Sequence, residues 1–192
     1  MQKIILASQS PRRKQLLEWA EIPFDIIVHP TDESFPAGMP VSDVPSYIAL
    51  NKAKAVQQLN ESYQQKLILA ADTIVVLNGK VIGKPVDKND ALEILHSLSG
   101  NIHEVITGVV MLKGDDAIIF SDTTEVEFHS LNNEQIEFYI DKYKPYDKAG
   151  AYAIQEWIGV TGIKKITGDF YNVMGLPVSR VVQELDKMNN GI

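Results

Sequence analysis

A carboxylate stands in the middle of the most apolar stretch of this chain: LILAADTIVVL, residues 67–77, in which Asp72 is followed by Thr73. Apolar runs of this kind read as strands buried on both faces, which demands a sheet covered on each side. The run leads through Asn78-Gly79 into KVIG, so 66–83 is expected to be a hairpin. An isolated carboxylate inside such a strand is costly, and it should bind a metal, meet a cation or act as a base. In the alternative reading the strand stops at Ala71 and Asp72 caps a turn. The continuation through Ile74, Val75 and Val76 weighs against that alternative. Asp72 is therefore the best catalytic candidate that pattern alone supplies.

The remaining punctuation predicts a mixed α/β fold. QKIILA (2–7) and FDIIVHP (24–30) read as strands, with a helix between them that starts at Ser10-Pro11 and runs to about Glu21. Leu16, Leu17 and Ala20 should face inward. Further helices are expected over about 43–60, over 88–98 closed by Gly100, over 132–143, and from Gly175 to Met188. Two strand-like runs, 102–113 and 116–128, meet at Gly114-Asp115 as a second hairpin. The glycine- and aromatic-rich stretch 145–175 resists assignment, with Ala151–Gln155 as a candidate strand. Hairpins interrupt the β–α alternation, so a purely parallel doubly wound sheet is not expected. No repeat, linker or low-complexity segment divides the chain, and 1–192 is read as a single domain.

Composition bears mainly on what is excluded. The chain has no cysteine, which rules out a disulfide, a thiolate metal site and a cysteine nucleophile. Its formal net charge of −7 speaks against a nucleic-acid partner, since such proteins carry a basic face. The N-terminal MQKIILASQSPRRK places its apolar run before its basic residues, opposite to a secretion signal, and no stretch is long enough to span a membrane. A soluble, cytoplasmic protein without a membrane partner is expected. A small phosphorylated ligand stays open, because a local group of cations works within an acidic protein.

Those cations sit where local rules disfavour them. Ser8-Gln9-Ser10-Pro11-Arg12-Arg13 puts two arginines in the first turn of a helix, where acidic residues are the favourable choice. A serine hydroxyl, exposed amides and two guanidinium groups at one helix start suit a phosphate; two solvated arginines are the plainer reading. On the following helix Val44, Ile48, Ala55, Val56 and Leu59 form an apolar stripe with Lys52 in its middle and Lys54 pointing away. Lys52 must snorkel or meet a phosphate or carboxylate. Gly83-Lys84-Pro85 offers another lysine on a stiffened turn, and Glu33 is a loop carboxylate. His29, His96, His103 and His129 show no metal-ligand spacing, and Trp19 and Trp157 read as packing residues.

At these positions the chain resembles the Maf family. LASQSPRR (6–13), Asp32-Glu33, NKAKA (51–55), AADTIV (70–75) and IGKP (82–85) carry the likeness, followed by LSGNIHEVITGV (98–109), YDKAGAYAIQ (146–155) and GDFYNVMGLP (168–177). The resemblance implies a nucleoside triphosphate pyrophosphatase with a mixed α/β fold like that of inosine triphosphate pyrophosphatases: a long twisted sheet, flanking helices and two lobes around a cleft. It implies a divalent cation (magnesium, manganese or cobalt). Glu33 and Asp72 are expected to hold that ion, with Asp72 as the general base or orienting the attacking water through the metal. Ser8, Arg12, Arg13, Lys52 and Lys84 would bind the phosphates. Arg12, Thr73 and Gln155 resemble the specificity residues of the branch acting on dTTP and UTP. A homodimer is compatible with the likeness. The competing expectations are a pyrophosphatase for 7-methyl-GTP or another modified nucleotide, and a nucleotide-binding regulator of septum formation.

Overall fold

The structure, a computed structural model, describes residues 3–190. Its elements follow in the order β1 (Ile4–Leu6), α1 (Pro11–Trp19), β2 (Phe24–Ile26), α2 (Val44–Gln57), β3 (Ile68–Leu77), β4 (Lys80–Ile82) and α3 (Lys88–Leu98). Then come β5 (Ile102–Lys113), β6 (Asp116–Phe128), α4 (Asn133–Tyr143), α5 (Trp157–Gly162), β7 (Ile163–Thr167), α6 (Phe170–Met174) and α7 (Val178–Asn190). Seven strands form one mixed sheet in the order β2-β1-β3-β5-β6-β7, with β4 added to β3 off this path. β1 runs parallel to both β2 and β3, whereas the β3–β4 and β6–β7 pairs are antiparallel. The mixed α/β class expected from hairpins within a β–α chain is what forms.

Packing divides the molecule into two compact units, each assembled from separated stretches of chain. One gathers the described residues through Asp72, then Thr107–Asp122, then those from Gly175 onward; the other comprises Thr73–Ile106 and Thr123–Met174. The first is organised by a core of Ile5, Ala49, Ala53, Val56, Ile68 and Val110, among others, with Ile27, Leu50 and Tyr63 against it. The second contains a buried aromatic group, in which the His103 and Phe128 rings stack 5.4 Å apart and Tyr152 meets both edge-on. No helix among the described residues is long and apolar enough to cross a membrane.

Several local expectations need correction. Strands β1 and β2 are shorter than their apolar runs, because hydrogen-bonded pairing covers only three residues of each. On α2 the inward face includes Ala49 and Ala53 alongside Val44, Ile48 and Val56; Ala55 is only half-buried, and Leu59 lies beyond the helix and is 46% exposed. Residues 151–155 are not a strand. Their apolar character reflects burial of an irregular segment, since Gly150 and Ala151 both adopt left-handed backbone and Glu156 N–H closes a turn on Ala153 O. The strand of this region is β7, further along. Trp19 is 59% exposed, and Trp157 meets Phe138 edge to face at 4.9 Å.

Candidate active site

Asp72 lies inside β3, not at its end. Every residue of that strand is buried except Asp72 and Thr73, which are half-buried, so the acidic position falls in the one two-residue opening of an otherwise covered element. Its carboxylate is met by the Lys52 ammonium, with Nζ 2.7 Å from Asp72 Oδ1. The same Nζ lies 2.6 Å from Glu33 Oε1. The side chains of Lys52 and Asp72 are only 17% and 14% exposed, so their pairing is little screened, whereas Glu33 is 51% exposed and reaches in from the loop between β2 and α2. Lys52 has thus found an anionic partner, and two of them. Two carboxylates around one ammonium leave the trio with a formal charge of −1 (+1 − 2).

The loop that delivers Glu33 is shaped by its neighbour. Asp32 accepts from Ser34 N–H at 2.8 Å and from Ser34 Oγ at 2.7 Å, a local turn that also holds the Asp32 carboxyl below its usual range. Adjacent acids therefore divide the work, one bonding the loop and the other bonding Lys52.

Ser10 caps α1 by accepting from Arg13 N–H, and Pro11 occupies the first turn, as the sequence predicts. The two arginines then separate. Arg12 is half-buried. Arg13 is turned inward and 8% exposed, its Nε donating to Gly175 O at 2.7 Å and its Nη1 to Ser8 Oγ at 3.2 Å. Burial pulls its guanidinium below the ordinary arginine range, while the charges of Asp72 and Glu33 raise it again and that of Arg12 lowers it. Arg13 is accordingly a fixed charge within this group rather than a solvated surface residue.

Within the same unit lies a pocket of about 300 Å³, whose lining includes Ser8, Gln9, His29, Thr31, Glu33 and Lys52. Gln9, His29 and Thr31 were not singled out by sequence, since nothing in their spacing marks them. The His29 Nδ1 lies 2.9 Å from Pro30 O, and since a carbonyl only accepts, Nδ1 is the donor in that contact. Among the described residues no group of three or more His, Asp and Glu side chains is arranged to hold a metal ion by itself.

Thr73, Lys84 and Gln155 belong to the other unit. Thr73 follows Asp72 on β3 and is half-buried, Lys84 is exposed after β4, and Gln155 is exposed on the turn before α5. Ser8, Arg12, Arg13, Glu33, Lys52 and Asp72 thus share one unit, with Ser8, Arg13, Glu33, Lys52 and Asp72 linked by direct contacts or charge.

Residues 3–188 match the model of the Maf-like proteins. A curated relative from Cytophaga hutchinsonii, a dTTP/UTP pyrophosphatase, is 52% identical over 97% of this chain and 84% of its own length. Another dTTP/UTP pyrophosphatase, from Bacteroides thetaiotaomicron, is 46% identical over 97% of this chain and 96% of its own. A solved structure of the Staphylococcus aureus Ham1 protein aligns with a TM-score of 0.45 at 14% identity, covering 66% of this chain and 72% of that one.

Proposed function

The chain belongs to the Maf family, and on that premise we propose that it is a nucleoside triphosphate pyrophosphatase, hydrolysing dTTP and UTP to the monophosphate and pyrophosphate. The observation that carries this reading is the Lys52 ammonium held between the Glu33 and Asp72 carboxylates, beside the buried Arg13. A cation flanked by acids in a half-buried setting suits a reaction in which a polyanion arrives and negative charge moves during the step.

In this reading water attacks the α-phosphorus in line, and the bond from that phosphorus to the bridging oxygen breaks. Asp72 accepts the proton released by the water, and the electron pair of the broken bond leaves with pyrophosphate. Lys52, Ser8, Arg12, Arg13 and Lys84 offset the charge on the leaving group. Arg12, Thr73 and Gln155 select the base; this assignment rests on the family resemblance, and Gln155 has both an amide donor and an acceptor to offer a pyrimidine edge.

Magnesium, manganese or cobalt is proposed as cofactor. Glu33 and Asp72 would hold it: their carboxylate oxygens converge on the Lys52 ammonium, the trio keeps a formal −1, and hard carboxylate oxygens suit such an ion. Such an ion would supply Lewis-acid polarisation of the phosphate. A cytoplasmic location, where nucleotide pools lie, accompanies this proposal.

The test is pyrophosphate release from dTTP, UTP, CTP, ATP, ITP and 7-methyl-GTP in magnesium or manganese, with EDTA as control and ¹⁸O-water as tracer. Metal-dependent turnover favouring dTTP and UTP, with label in the monophosphate alone, is expected. Preference for 7-methyl-GTP overturns the substrate assignment, and label in pyrophosphate overturns attack at the α-phosphorus.

A further inference from the structure

Gln155 is exposed, yet the backbone that carries it is held with unusual thoroughness. Glu156 N–H donates to Ala153 O at 3.1 Å, closing a four-residue turn with Gln155 in its third position. Both ends of that turn are tied to one buried phenol. The Tyr139 hydroxyl, on α4, accepts from Ala153 N–H at 3.1 Å and donates to the Glu156 carboxylate. Tyr139 itself is fully buried and its ring stacks on Tyr143 at 5.0 Å.

Glu156 occupies the N-cap of α5, where a short polar side chain ordinarily accepts from the helix backbone, but it makes no such bond. Its carboxylate is engaged by Tyr139 and lies 3.6 Å from Lys148 Nζ, a lysine only 7% exposed that also meets Asp147 at 2.7 Å. On the far side of the turn Gly159 fits directly against Ile154: a Cβ there would stand 1.7 Å from Ile154 O. The chain on both sides of Gln155 is thereby bonded and closely packed, and a half-buried carboxylate serves this turn instead of capping the helix. Stability alone does not ask for that, since a serine or asparagine would cap α5 without burying charge.

We infer that Tyr139 and Glu156, backed by Lys148, are positioning residues that set the direction of the Gln155 amide and so the preference for a pyrimidine presenting a carbonyl over one presenting an amine. This inference rests on the proposed dTTP/UTP activity and on Gln155 as a base-reading residue. A side chain that discriminates by hydrogen bonding does so only while its donor and acceptor are aimed, because a misdirected amide leaves both partners unpaired. The Tyr139 bridge aims it.

The experiment is a double-mutant cycle read as the ratio of kcat/KM for dTTP to that for dCTP. Tyr139→Phe removes only the bridging hydroxyl and should lower the ratio by roughly tenfold, the worth of one well-made hydrogen bond. Glu156→Gln, which keeps an acceptor for the phenol but loses the Lys148 pair, should shift it less in the same direction. In a Gln155→Ala background neither change should alter the ratio beyond about twofold, since nothing is left to aim. Circular dichroism checks folding, and Glu156→Gln carries the cycle if Tyr139→Phe does not fold. Multiplicative effects in the double mutants overturn the inference, because Tyr139 and Glu156 would then act independently of Gln155. An unchanged ratio in Gln155→Ala, with wild-type dTTP turnover intact, overturns it by removing Gln155 as reader. Absence of any triphosphate turnover by the wild-type protein instead strikes the proposed function itself.

Discussion

Lys52 is half-buried between Glu33 and Asp72, and its removal has two consequences of different kind. The Asp72 carboxylate, 14% exposed, loses its nearest cation, so Lys52→Ala should destabilise the protein by about 1–3 kcal/mol in urea unfolding. The same change should lower kcat/KM for dTTP by about two orders of magnitude. Unaltered kinetics would return Lys52 to a purely structural role. His103 makes a separate, pH-dependent prediction. It is 1% exposed, its Nε2 paired with the Tyr152 hydroxyl at 2.7 Å, and burial pulls its pKa from 6.5 down to about 4. Its Nδ1 finds no hydrogen-bond partner among the described residues, which fits a ring kept neutral. Between pH 6.5 and 4 the unfolded chain binds a proton that the folded chain refuses, so stability falls as pH falls through that window and is undiminished above it. The loss approaches about 3 kcal/mol. Urea unfolding at pH 7 and pH 4.5 should show it in the wild type and a smaller loss in His103→Gln. Of these residues, Asp72 and Lys52 were legible because each violates the apolar pattern around it. The fixed role of Arg13 was not, because its partner Gly175 O lies far along the chain and leaves no trace in the helix start.

Elements with strong local punctuation form where the sequence places them. The Asn78-Gly79 and Gly114-Asp115 turns join strands whose limits follow the apolar runs closely, and α4 starts at the Asn132–Gln135 capping box. The segment between α4 and α7 was illegible for a physical reason: its order comes from tertiary bonds such as Tyr139 to Ala153 and Asn172 to Val105 O rather than from periodicity. Helix α2 shows how one element depends on another. Its first turn lies so close to β5 that a Cβ on Gly108 would stand 2.2 Å from Ser46 N and 2.4 Å from the Pro45 carbonyl carbon. Backbone cannot yield as a side chain does, so Gly108→Ala should cost about 2–3 kcal/mol in equilibrium unfolding. Because α2 carries Lys52, it should also lower dTTP turnover. A variant as stable and as active as wild type would show that this close approach is dispensable.

Taken across the whole chain, the acidic sequence and its few strategic cations belong together. The chain carries a formal net charge of −7, yet Arg13 and Lys52 are drawn into contact with Ser8, Glu33 and Asp72 inside one compact unit. The mixed sheet class and the family were readable from ordered motifs spread over the chain. Two lobes were implied by the family resemblance, but which residues make up each of the two compact units was not legible, since each combines segments that sequence order separates. In the proposed reaction the Asp72 carboxylate takes the proton from the water that splits dTTP. That step is tested most directly by the rate of pyrophosphate release from dTTP in magnesium by the wild-type protein and by Asp72→Asn, which keeps the shape of the side chain and removes its basicity. The variant should fold and its kcat should be lower by about 10²–10⁴-fold, the usual contribution of a general base. A folded Asp72→Asn protein that turns over dTTP within about twofold of wild type would contradict that step.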